Sequence, residues 1–158
     1  MAVDYFLQIA GVEGESTDAK HKGWIDVEAW SWGETNSGSM HSGGGGSAGR
    51  VTAEDFNFTA HVSKASPKLF LACASGQHFK EAKLVARKAG KELQDFLTWT
   101  FNDVLVNGYH TGGTEVGPMD QVSLNFAKAK VEYRAQKADG TFETAISAAW
   151  DFKSNTKA

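Results

Sequence analysis

Apolar and polar side chains alternate with a period of two through most of this chain, and that spacing restricts it to half-buried β-strands. Val3, Tyr5, Leu7 and Ile9 share one face, with Asp4 and Gln8 on the other. Ile25, Val27, Ala29 and Ser31 alternate with Trp24, Asp26, Glu28, Trp30 and Trp32. Phe56 and Phe58 sit between Asp55, Asn57 and Thr59, and further runs cover 82–88, 96–106, 122–134 and 142–152. In the 122–134 run the apolar positions are even through Phe126 and odd from Ala127 to Tyr133. That change of phase predicts a bulge, or a strand that leaves one apolar environment for another. Trp30 and Trp32 lie opposite Ala29 and Ser31 on a strand whose other face is also apolar. Such two-sided patterning predicts that outer faces or edges are covered by another subunit. Asp139–Gly140 predicts the tight turn before the last strand.

One segment reads as helix, over about residues 66–75. Leu69, Ala72 and Cys73 fall at helical spacing, Pro67 suits the first helical position, Ser66 is the expected cap and Gly76 the expected stop. The expectation is a mainly β fold with one short helix, built as a barrel or barrel-like sandwich. At 158 residues it is one domain, 1–158, with a sizeable core.

The period breaks completely between Gly33 and Gly49, where seven of the 17 glycines and four serines gather. Met40 is the one large apolar side chain there. As a hairpin arm, this extended loop (about 33–49) would reach roughly 25 Å at ~3.3 Å per residue. The domain itself has an expected radius of gyration of about 15 Å. Ordering such a segment costs on the order of 1–2 kcal/mol per residue, and more for glycine. With so little apolar surface to offset that, main-chain hydrogen bonds to a neighbour are the natural use, as in strand addition. The competing reading is a surface loop with no role.

Several functions are disfavoured. A formal net charge of −3, with scattered Lys and Arg, argues against nucleic acid as a partner. Cys73 is alone, so no intrachain disulfide forms and a reducing cytosol is compatible; a small buried hydrophobe is its expected role. The N-terminal MAVDYFLQIAG carries Asp4, no basic residue and a strand pattern, unlike a Sec-type signal. No apolar run approaches the ~20 residues of a membrane span. The histidines at 21, 41, 61, 78 and 110 lack metal-ligand spacing and read as isolated surface or hydrogen-bonded residues. The glycine run lacks the Lys-Ser/Thr of a P-loop, no G-x-S-x-G elbow occurs, and no carboxylate pair stands out. No catalytic residue, metal or cofactor is expected.

The segments IDVEAWSWGETNSGSMHSGGGGSAGRV, EDFNFT, SPKLFLACASGQH, ARKAG and VSLNFAKAKVEY, with the opening MAVDYFLQI, resemble the Hcp family of type VI secretion systems over essentially the whole chain. The resemblance implies a small β-barrel of two antiparallel sheets with one helix. It implies homohexameric rings that stack into the inner tube of a contractile machine, under a VgrG-type spike and inside a sheath, with effector proteins in the lumen. It also implies a cytoplasmic protein later secreted without a cleaved signal. The loop's role in contacting a neighbouring subunit or ring passes to Gly38, Ser39, Met40, His41, Gly43, Gly44, Gly45, Gly49 and Val51. Ser31 is a candidate lumen position, with a core-facing serine as the alternative. Lys91 stands where the family often has glycine, and 91–101 and 108–118 match loosely. The expected protein is a plain tube subunit with no fused C-terminal toxin, no nucleic-acid partner and no membrane insertion. A monomeric small-ligand-binding barrel, with an enclosed apolar cavity, is the alternative.

Overall fold

The computed structural model describes residues 2–40, 49–88 and 94–158. Within them the strands are β1 (Val3–Ile9), β2 (Ile25–Val27), β3 (Ala29–Ser31), β4 (Glu34–Asn36), β5 (Val51–Ala53) and β6 (Phe56–His61). Helix α1 (Ser66–Ser75) follows, then β7 (His78–Lys88), β8 (Asp95–Thr114), β9 (Gly117–Asn125), β10 (Lys128–Tyr133), β11 (Ile146–Asp151) and β12 (Thr156–Lys157). Every ladder is antiparallel, in one ten-stranded sheet and the two-stranded sheet β4–β5. The fold is mainly β with one short helix, as the alternation predicts.

The large sheet curls almost onto itself. Around the curl β1 pairs β7, β7 pairs β8, β8 pairs β9, β9 pairs β6 and β6 pairs β3, while β2 pairs back onto β1. β2 and β3 are one run of chain broken only at Glu28, whose N–H donates to the Thr59 carbonyl at 2.8 Å. The circuit is therefore completed by the backbone at Glu28 and not by a ladder between β2 and β3. The result is barrel-like, with the sheet itself not closed by hydrogen bonds. Beyond the curl, β10, β11 and β12 extend from the first half of β8 as a panel.

Three changes of phase make this possible. Ile25 and Val27 point inward, but after Glu28 the inward positions are Trp30 and Trp32, leaving Ala29 and Ser31 exposed. In β8 both Phe101 and Val104 are buried, three apart, with Asp103 between them at φ 54. On the facing chain Phe126 and Ala129 are likewise both buried, three apart. Because Leu105 faces Asn125 and Asn102 faces Lys128, the two strands flip together with no change of register. The irregularity at Phe126 is thus a strand passing from barrel to panel. Much of the two-sided apolar patterning has this cause, not an external partner. Two other outward apolar residues, Phe6 and Val85, pair across β1 and β7 and are buried, and His21 of the 11–24 segment stacks on Phe6 at 4.4 Å.

The core holds Leu7, Ile9, Phe56, Phe101, Leu124 and Val122, all nearly inaccessible. α1 lays Leu69 and Ala72 against it. Its start differs from expectation: Ala65 is the N-cap, with no side-chain cap bond. Ser66 is instead buried and its hydroxyl donates to Asp120. A buried carboxylate needs donors, and it takes this one in competition with the helix terminus. Gly76 ends the helix as expected, at φ 70. Cys73 is half-buried against the core. The Asp139–Gly140 turn forms, with Gly140 N–H donating to Lys137 O at 3.0 Å. The last long strand, however, starts at Ile146, because Phe142 makes only an isolated bridge to Gln136.

Candidate assembly site

The chain enters and leaves the glycine-rich segment through a defined neck. β4 and β5 pair Glu34 with Ala53, Thr35 with Thr52 and Asn36 with Val51. Trp32, just before β4, anchors this neck edge-on to Trp99 at 5.0 Å and to Phe126 at 5.7 Å. Arg50 donates to the carbonyls of Phe152 (3.1 Å) and Lys153 (3.4 Å), tying the other limb to the turn between β11 and β12.

Asn36 closes the neck. Its amide oxygen accepts from Gly38 N–H (2.8 Å) and Gly49 N–H (3.1 Å), and its amide nitrogen donates to Gly49 O (3.1 Å). The limbs approach so closely that a Cβ on Gly49 would lie 2.5 Å from Gly38 N and 2.2 Å from Ser37 Oγ. Only glycine fits there. Of the loop positions, Gly38 and Gly49 stand at this clasp, Val51 is half-buried in β5, Ser39 is exposed and Met40 is 81% exposed. His41, Gly43, Gly44 and Gly45 lie outside the described residues. Asn36, the clasp itself, was missed by sequence reasoning; Asn beside a glycine segment is a common turn former, and nothing in the spacing marks its partner 13 residues on.

Under the neck opens a cleft of about 510 Å3 whose walls include Trp32, Asn36, Val51, Trp99, Val131 and Trp150. Its floor is the face of the panel. There the register lines up Phe101–Ala129–Trp150, then Trp99–Val131–Ala148, then Leu97–Tyr133–Ile146. Cover thins along these rows: Phe101 is inaccessible, Tyr133 is 45% exposed and Ile146 is 74% exposed.

Ser31 lies on a different surface. It faces Asn57, and the outer face of β3, β6, β9 and the second half of β8 continues through Thr59, Gln121, Ser123 and His110. These side chains are small or polar, so the surface is wet, and a carboxylate, that of Glu28, lies 3.3 Å from His61 at the end of β6. A core-facing Ser31 is ruled out by its exposure.

At the opposite end of the strand order a cleft of about 490 Å3 is lined by Asp4, Asp18, Asp26, Glu28 and Arg87. Arg87 is buried, donating to Asp18 (2.6 Å) and Asp4 (3.3 Å), and it holds the Asp18 carboxyl down to about 2. Burial pushes Asp26 up, with Asp18, Asp4 and Glu28 adding to it. His21 is buried with Nδ1 2.8 Å from Asp18 and Nε2 3.0 Å from Asp95. Among the described residues no cluster of three or more His, Cys, Asp or Glu could hold a metal ion. No helix among them is long and apolar enough to cross a membrane.

The described residues define a class of mainly β protein, with a barrel-like sheet, one helix packed against its core and a separate clasped two-stranded neck. A family model described as "Type VI secretion system effector, Hcp" matches residues 6–133. The chain is 47% identical to "Protein hcp1" of Pseudomonas aeruginosa, over all of both chains. Among solved structures it is similar to Hcp1 from Salmonella typhimurium, at TM-score 0.83 and 37% identity over 100% of both chains. It is similar also to a type VI secretion system effector from Yersinia pestis, at TM-score 0.77 and 34% identity, covering 94% of this chain and 99% of that one. The chain belongs to the Hcp family of type VI secretion proteins.

Proposed function

We propose that this chain is the tube subunit of a type VI secretion system. Copies close into homohexameric rings, rings stack into the inner tube, and effector proteins ride in the lumen. The VgrG-type spike and the contractile sheath are its further partners, and it leaves the cell without a cleaved signal. The observation that carries this reading is the clasped neck. β4 and β5 pair with no other strand among the described residues, so the neck stands apart from the large sheet, and the glycine-rich segment it closes would offer main-chain groups to another copy. The wet face around Ser31 suits a lumen wall, since it offers small, polar contacts. No catalytic role is proposed.

The alternative, a monomeric ligand-binding barrel, predicts an enclosed apolar cavity, whereas Phe56, Phe101, Leu124 and Val122 occupy the barrel interior. Negative-stain microscopy and light scattering of the purified chain test the proposal. Rings and short stacks are expected; a chain that stays monomeric at every concentration would sink it.

A further inference from the structure

We infer that the open apolar face of the panel is the surface through which one copy grips the next, and that the next copy presents its acidic β1–β2 end to Lys157. The inference rests on the ring-forming reading above and specifies which surfaces meet.

The apolar rows give the first reason. The row Leu97–Tyr133–Ile146 points to the same side as the core but is left partly uncovered by the described residues, with Tyr133 45% and Ile146 74% exposed. A contiguous apolar sheet face of this kind marks a protein contact.

Charge gives the second. Lys157 faces Trp150 in the register, so it rises from the same face at the panel's edge, and it has no ion-pair partner among the described residues. Residues 128–158 carry six Lys and Arg against four Asp and Glu. Residues 2–36 carry seven Asp and Glu against two Lys. In the cleft of the acidic end, Arg87 is already engaged by Asp4 and Asp18. Asp26 is left among like charges there, and an arriving ammonium would relieve it.

Topology gives the third. The strand order runs β12, β11, β10, β8, β7, β1, β2, so the basic and acidic ends are its two extremes. A contact between different surfaces on the two copies is heterologous, and rotation closes it into a ring.

Charge exchange tests this directly. Lys157→Glu and Asp26→Lys are each expected to reduce the ring to single chains of 17.0 kDa in light scattering, at concentrations where the parent is fully assembled. Mixing the two variants is expected to restore rings, because each then meets an opposite charge on both sides in alternation. Ile146→Asp, at an exposed position, is expected to give single chains with the parent's near-ultraviolet dichroism. If the three variants assemble like the parent, or if mixing restores nothing, the assignment of surfaces is wrong and the ring stands. If the parent itself never assembles, the ring-forming reading falls and takes this inference with it.

Discussion

Arg87 is where a single residue does most to shape this molecule. The ladder between β7 and β8 shifts between Ala86 and Arg87, and the Arg87 guanidinium lies over the Phe6 ring at 4.9 Å, on the outward face that β7 shares with β1. Two carboxylates follow it. Because the folded Asp18 titrates near 2 and an unfolded one near ~3.9, its stabilising contribution is complete above about pH 4. It is lost as pH falls from about 4 through about 2. Asp18→Asn is expected to remove that part of the acid-unfolding profile, read by tryptophan fluorescence, while Asp26, shifted upward, acts in the opposite sense. The sequence could not show this group: His21 meets partners 3 and 74 residues away, and read alone it is one more isolated histidine. Asn36 is the second such residue. Asn36→Ala removes three hydrogen bonds at the neck. At about 1 kcal/mol or more net for such bonds, amide exchange at Gly38 and Gly49 should quicken by about tenfold.

Among the elements, β8 was legible only in part. Its first half was readable as a strand over 96–106, but past Val106 it continues through Gly108, Gly112 and Gly113, which carry no side chain to show a period. β9 was legible from Val122 and hidden before it, for the polar run leading in. The change of phase at Phe126 was visible in the sequence. Its counterpart at Asp103 was not, since it rests on a backbone conformation, and the flip at Glu28 passed for a strand apolar on both sides. Asp103 sits at φ 54, where a side chain is strained and a β-branched one more so. Asp103→Gly should hold or raise stability, and Asp103→Val should lower it by about 1–2 kcal/mol, measured by urea denaturation. Equal effects of the two would mean that this backbone turn is not what aligns the two flips.

Across the whole molecule, barrel and arm are separate commitments. The β4–β5 ladder pairs with no other strand among the described residues, so the barrel's hydrogen bonds do not depend on the arm. Replacing residues 37–48 with a short turn is expected to leave the melting temperature within a few degrees of the parent and single rings intact, while stacks disappear from micrographs. Loss of the rings themselves would show that the arm acts within the ring and not between rings. Barrel and panel, by contrast, share β8 and the β9–β10 chain across their junction without an intervening loop. A load applied to the panel therefore enters the barrel along two continuous backbones laid side by side. Ladder bonds perpendicular to such a pair resist sliding together instead of opening one at a time. In the proposed tube, driven lengthwise, that junction would act as a splice, stiff where a linker would fold like a joint.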